Sequence, residues 1–253
     1  MPITVEKIVL QRANGQFPAA IAIVSQTLSE LKDNRYSFLH PNELNFFAAF
    51  KFERAQHSYL LGRFAAKSAW SAFAENFAEN NVMTAVEVTA GIFQQPVLYL
   101  PDGGNVQLSI AHTEKIGMAI VYPEGHPMGI DVELINPEQS ETIREVVGLR
   151  EQGKLHLIHS DVHKSLTLLW TIKEALSKVL KTGLMTPFEL FEVENIQHLE
   201  DIVICDFINF PQYKSLSWLA GGYAWSIVLP RKSKMDLAVI RKLYWPDLAA
   251  QVS

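Results

Sequence analysis

Cysteine is nearly absent. Cys205 is the one thiol in 253 residues, so no internal disulfide framework can form, and the composition fits a reducing cytosol. Long apolar runs are absent too: none approaches the ~20 residues of a membrane helix, so no membrane association is expected. The start, Met1-Pro2-Ile3-Thr4-Val5-Glu6-Lys7, turns acidic within six residues, unlike a secretory signal. There is no basic surplus; the formal net charge of −5 argues against nucleic acid as a partner. No Gly-x-x-x-x-Gly-Lys loop is present, which disfavours an ordinary nucleotide kinase or ATPase. No Gly-x-Ser-x-Gly elbow argues for a hydrolase. What remains is an ordinary globule, 48% hydrophobic and 19% charged, with no disordered signature and ample length for one large domain or two lobes.

What is present is a split set of carboxylates. Gly129-Ile130-Asp131-Val132-Glu133 is apolar and β-favouring, so Asp131 and Glu133, two apart, project from one face of a strand. Trp170-Thr171-Ile172-Lys173-Glu174-Ala175-Leu176-Ser177-Lys178 reads as a helix, on which Glu174 and Lys178 share a face with Trp170 one turn before them. Singly, each segment is ordinary: an Asp-x-Glu strand end, and a solvated helix face with an i,i+4 pair. Together, three carboxylates and an ammonium suit a hard divalent cation and a phosphate-bearing substrate, since magnesium commonly binds through few carboxylates plus substrate phosphates. The combination points to phosphoryl chemistry.

Strands and helices mix along the whole chain, an α/β (α+β) pattern. Ile3–Leu10 and Ala19–Val24 read as strands, 41–50 and 54–77 as helices, and 86–88, 96–100, 106–110 and 117–122 as strands, with Pro101-Asp102-Gly103-Gly104 as a turn. Pro123-Glu124-Gly125-His126-Pro127 is the most breaker-rich segment and the expected boundary between lobes of residues 1–124 and 125–253. Beyond it the pattern predicts a helix over 166–180 and strands over 188–193, 203–206 and 223–228. His156, His159 and His163 fall on one face of a helix, yet no cysteine or second-element ligand accompanies them, so they read as solvent-facing residues and not as a zinc site.

The joint pattern, with Glu174 following Glu133 by 41 residues, resembles the signature of the 4′-phosphopantetheinyl transferase superfamily, in particular its large, two-lobed, surfactin-synthetase-activating type. Other segments share the resemblance in the same order. Leu60-Leu61-Gly62-Arg63 follows Phe38-Leu39-His40-Pro41-Asn42-Glu43 much as that family enters its first long helix. Gly91-Ile92-Phe93-Gln94-Gln95-Pro96-Val97-Leu98 is similar to the family's Gly-Lys-Pro element, and Ser109-Ile110-Ala111-His112 to its Ser/Asn-x-Ser-His element.

The resemblance implies a fold of two similar pseudo-twofold lobes, each a small sheet packed on a long helix, with the active site in the cleft between them. The N-terminal lobe would contact the nucleotide end of coenzyme A. The C-terminal lobe would carry the metal, the catalytic helix and the docking surface for the carrier protein. The implied reaction is that of a holo-[acyl-carrier-protein] synthase in fatty-acid, polyketide or non-ribosomal peptide biosynthesis. It moves the phosphopantetheine arm of coenzyme A to a serine of an apo acyl or peptidyl carrier protein. Asp131, Glu133 and Glu174 are the implied ligands of Mg²⁺ (or Mn²⁺), and Glu174 and Lys178 the implied catalytic pair. His112, Arg63, Gln95, Pro96, Ala111 and Lys173 are the implied coenzyme A contacts. The stretch Leu134–Gly153, with Arg144 and Arg150 beside Ile143, Val146, Val147 and Leu149, is the implied docking region, and two lobes in one chain suit a monomer.

Two departures are visible. Gln95 stands where many members have lysine before the proline, and Ala111 replaces the usual serine before the histidine. They leave room for an alternative, a coenzyme A- or carrier-binding subunit of the same fold without turnover.

Overall fold

The computed structural model describes residues 3–74, 82–101 and 103–243. The end of the expected first long helix, 75–77, and Asp102 of the expected turn lie outside the described residues. The contacts divide the chain into two compact units, Met1–Pro127 with Lys234–Leu243, and Met128–Ser233.

The first unit runs β1 (Ile3–Arg12), β2 (Gly15–Val24), α1 (Leu28–Phe38), α2 (Pro41–Phe47), α3 (Glu53–Ala74), β3 (Glu87–Ala90), β4 (Pro96–Tyr99), β5 (Val106–His112) and β6 (Gly117–Pro123). Its antiparallel sheet has the order β1-β2-β6-β5, with β3 and β4 paired separately. Residues 19–24 of β2 and 117–122 of β6 are buried without alternation, as expected for inner strands covered on both faces. Leu61, Ala65, Ala69, Ala72 and Phe73 form the buried stripe of α3. The helix backbone comes so close to β6 that a Cβ on Gly117 would stand 2.6 Å from the Leu61 carbonyl oxygen.

The second unit runs β7 (Gly129–Leu134), α4 (Ser140–Val146), α5 (Leu149–Gln152), α6 (Val162–Leu180), β8 (Val193–Leu199), β9 (Ile202–Phe207), β10 (Tyr213–Ala220) and β11 (Tyr223–Pro230). Its five-stranded sheet has the order β7-β11-β10-β9-β8. Asp161 starts α6 by accepting hydrogen bonds from the backbone of His163 and Lys164. Lys181, in the left-handed region at φ 58°, ends it. The chain then returns through α7 (Leu237–Leu243) against β1 of the first unit, where Gln11 and Lys234 exchange backbone hydrogen bonds of 2.9 Å. Each unit by itself is thus a small sheet packed on one long helix, the mixed helix-and-sheet architecture read from the sequence.

Some local readings change. Residues 188–191 form a 3₁₀ turn, not a strand, with Phe188 and Phe191 three apart and both turned inward; β8 begins only at Val193. The histidines at 156, 159 and 163 do not share a helix, because Leu155–Leu157 is a 3₁₀ turn and α6 starts at Val162. The unforeseen α1 carries its own signal, a capping box of Thr27 and Glu30. Cys205 is fully buried on β9, and that burial pushes its thiol up to about 12.

Each unit also holds a lysine of its long helix fully buried against a glutamate that closes a backbone turn. In the first unit Glu43 accepts from the His40 and Val88 backbone N–H groups at 2.8 Å each and pairs with Lys67 at 2.9 Å. In the second, Glu151 accepts from Val193 N–H at 3.0 Å and Gly148 N–H at 3.2 Å and pairs with Lys173 at 2.6 Å. Lys173 also donates to the Phe188 carbonyl at 3.2 Å. Removing one member of such a pair leaves an uncompensated buried charge. Lys173→Met, close in length but uncharged, is therefore expected to cost about 3–5 kcal/mol. Urea unfolding checks this, and an unshifted midpoint would contradict it.

Candidate active site

Period two in β7 puts Gly129, Asp131 and Glu133 on one side of the strand, and the glycine shows which side that is. A Cβ on Gly129 would lie 2.1 Å from the Ala175 carbonyl oxygen and 3.0 Å from the Val179 backbone nitrogen. The odd-numbered face therefore meets α6, and only glycine allows the approach. Register fixes the rest. Asp131 lies opposite Ser226 of β11, and Ser226 hydrogen-bonds Thr171 of α6 at 2.7 Å and Ser217 of β10 at 2.9 Å. These buried hydroxyls lock the helix to the sheet one turn before Glu174.

The four residues singled out from the sequence come together here. Lys178 Nζ lies 2.7 Å from Asp131 Oδ1. Asp131 is buried, and its Oδ2 has no hydrogen-bond partner; neither has Glu174 Oε1. The Glu133 carboxyl is raised to about 7, first by burial and then by the Asp131 charge, with Glu174 contributing, while Lys178 and the Trp170 indole hold it down. Glu174 is raised as well, first by burial and then by Asp131, against the pull of Lys178. Trp170, read from the sequence as core packing, stacks on Phe188 at 4.9 Å and 8°, and its indole also favours the charged form of Glu133. A tryptophan one turn before a carboxylate was the only sequence signal for that second role.

Among the described residues, no three His, Cys, Asp or Glu side chains stand gathered as they would around a bound ion. The donors nevertheless fit a hard cation. They are all oxygens, two of them are buried and unpaired, and one ammonium faces three carboxylates, which leaves the cluster short of positive charge.

The first unit contains a pocket of about 410 Å³ lined by Tyr59, Gly62, Arg63, Gln94, Pro96 and His112, among others. Gly62 makes room for it on α3: a Cβ there would be 3.3 Å from Ile110 and 3.8 Å from the His112 ring. Arg63 lies 3.5 Å from Glu43 and stacks over Tyr59 at 4.6 Å. Burial pushes the Tyr59 hydroxyl up to about 12, so the pocket has a permanent guanidinium, an imidazole and a neutral phenol.

Three residues expected at this ligand are placed otherwise. Gln95 folds back over its own turn, accepting from Phe93 N–H at 2.9 Å, and Gln94, at φ 64°, lines the pocket instead. Ala111 is buried in β5, facing the opposite side from His112. Lys173 is the fully buried partner of Glu151. Of the expected docking stretch, Ile143 and Val147 are buried, while Leu149 is 85% exposed and Arg150 pairs with Glu192 at 3.5 Å. The histidines have local partners: His163 Nδ1 meets Ser140 Oγ at 2.7 Å, and His159 Nδ1 accepts from Asp161 N–H.

Residues 127–228 match the family model of the 4′-phosphopantetheinyl transferase superfamily, about two fifths of the chain. No curated protein matches the sequence. Among solved structures, the chain is similar to a holo-(acyl-carrier-protein) synthase from Bacillus anthracis str. Ames in complex with CoA (3′,5′-ADP), at 23% identity over 46% of this chain and 96% of that one, with a TM-score of 0.34. It is similar to the holo-[acyl-carrier-protein] synthase of Thermotoga maritima at 20% identity, over 44% of this chain and 67% of that one, TM-score 0.34. It is also similar to the holo-ACP-synthase of Plasmodium yoelii at 19% identity, over 48% of this chain and 96% of that one, TM-score 0.34.

The raised Glu133 carboxyl has a measurable consequence. Between its ordinary value and about 7, the folded protein holds a proton that the unfolded chain has released. Stability from this group is therefore fully present below that window and lost as pH rises through it. In EDTA, the wild type is expected to lose on the order of 2 kcal/mol more than Glu133→Gln between pH 5 and pH 8. Urea unfolding at both pH values checks this, and equal losses would contradict it.

Proposed function

We propose that this chain is a Mg²⁺-dependent phosphopantetheinyl transferase of the surfactin-synthetase-activating type. It moves the 4′-phosphopantetheine arm of coenzyme A to a serine of an apo acyl or peptidyl carrier protein and releases adenosine 3′,5′-bisphosphate. The observation that carries this reading is the meeting of Asp131, Glu133, Glu174 and Lys178 across β7 and α6, inside the segment 127–228 that matches the superfamily model.

Asp131, Glu133 and Glu174 would hold the ion, which when bound supplies charge neutralisation at the pyrophosphate. The rest falls to the chain's own groups. Glu174, on the face of α6 turned toward β7, takes the proton of the carrier's serine hydroxyl, directly or through one water. The serine oxygen bonds to the β-phosphorus as the bond to the bridging oxygen breaks, and the electron pair leaves with the nucleotide bisphosphate. Lys178, a turn beyond Glu174, offers its ammonium to the charge growing on that leaving phosphate. Little covalent work is required of the protein; alignment and electrostatics dominate such transfers.

In the first lobe, residues 1–124, Arg63 and His112 supply charge and hydrogen bonds suited to a phosphate of the nucleotide end. Pro96 and Tyr59 supply apolar wall. The C-terminal lobe, 125–253, carries the carboxylates and the carrier-docking surface. We further propose that the protein acts in the cytosol, as a monomer; no helix among the described residues is long and apolar enough to cross a membrane.

The direct test incubates purified protein with coenzyme A, Mg²⁺ and an apo carrier protein, reads the carrier by intact-mass spectrometry, and includes an EDTA control. The expected result is a metal-dependent gain of one phosphopantetheine arm. Asp131→Ala and Glu174→Ala should each reduce the rate by roughly 10²-fold or more, the scale of losing an electrostatic or acid–base group, with far-ultraviolet circular dichroism unchanged. Coenzyme A binding without transfer to fatty-acid, polyketide or peptidyl carriers would replace this reading with a non-catalytic binding subunit.

A further inference from the structure

We propose that Lys178 is the resident counter-ion of the carboxylate site in the metal-free protein, and that a divalent ion must displace its ammonium from Asp131 before the site can work. The inference rests on the metal assignment above and adds a second state for one of its residues.

The geometry is specific. Lys178 Nζ sits 2.7 Å from Asp131 Oδ1, within charge-assisted hydrogen-bond range. A magnesium ion binds carboxylate oxygens at about 2.0–2.1 Å in near-octahedral geometry and tolerates little distortion. An ammonium held on the same carboxylate crowds that coordination sphere and repels its charge. The two members of the pair also differ in freedom. The Asp131 side chain is 6% exposed and fixed on β7, whereas that of Lys178 is 28% exposed at the end of a flexible stem. The lysine is the member that can leave.

It also has cause to leave. One ammonium faces three carboxylates, and it leaves Asp131 Oδ2 and Glu174 Oε1 without partners. A divalent ion can engage those oxygens and supply twice the charge. Displacement then delivers the freed ammonium, four residues along the helix from Glu174, at the moment a phosphate needs it. Lys178 would otherwise be only a static phosphate contact, or only a structural salt bridge to Asp131.

Those possibilities separate in a titration without coenzyme A. Isothermal calorimetry with Mn²⁺ is run on the wild type, Lys178→Met and Lys178→Arg. Competition predicts that Lys178→Met binds Mn²⁺ roughly tenfold more tightly, the scale of one charge removed beside a partly buried site. Lys178→Arg, which keeps the charge, should stay near the wild type. Without metal, Lys178→Met should also melt lower than the wild type and recover more on adding Mn²⁺. An unchanged or weaker affinity in Lys178→Met overturns the proposal, as does equal tightening in Lys178→Arg. If Lys178→Met binds Mn²⁺ but the wild type does not, the lysine blocks the ion without yielding to it, and the displacement is overturned. If neither binds, the metal assignment fails together with the displacement.

Discussion

The orientation of the long helix α6 is the constraint on which the rest of the second unit depends, and the buried Lys173–Glu151 pair sets it. Adjacent helical side chains point about 100° apart. With Lys173 drawn inward to Glu151 and the Phe188 carbonyl, Glu174 must turn toward β7. Glu151 also receives the first backbone N–H of β8. One carboxylate thus ties together a helix, a strand and the α5 turn. Such pairs contribute little net stability compared with apolar packing; what they do here is exclude other rotations of the helix. Glu43 and Lys67 do the same for α3 in the first unit, with Lys67 also donating to the Met83 and Val86 carbonyls.

The site itself sits at the opposite extreme. Carboxylates on a strand and a helix are drawn out of water, and Glu133 and Glu174 are raised first by that burial and then by repulsion from Asp131. The surrounding structure tolerates it through close contacts made elsewhere: Gly129 against the Ala175 carbonyl, and the Thr171–Ser226–Ser217 hydroxyl chain. Local destabilisation held by firm packing around it is a common arrangement at binding sites.

Period and spacing made much of this legible in the sequence. A two-residue strand period and a four-residue helix period were enough to pair Asp131 with Glu133 and Glu174 with Lys178, because those rules describe single elements. What they could not supply is what lies across from each face. The rotation of Lys173 relative to Glu174 was readable, but its partner Glu151 comes from a separate short helix. Gln95 looked like a ligand contact because the chain around it resembled one; the turn reverses it, and the left-handed backbone at Gln94 has no simple sequence mark. The run from Phe188 to Val193 was apolar enough for a strand, yet its inward residues recur every three positions, which suits a 3₁₀ turn. The breaker-rich segment 123–127 could be found by composition, whereas the return of α7 to β1 depends on contacts more than two hundred residues apart in sequence.

Cys205, sealed in β9 with its thiol pushed up to about 12, gives the wild-type chain a built-in reporter. It is the only sulfhydryl, so a thiol reagent can label the protein only when this strand opens. The rate of labelling is then a clock for breathing of the second unit's core. Any cysteine introduced at the surface can carry a probe without competing background.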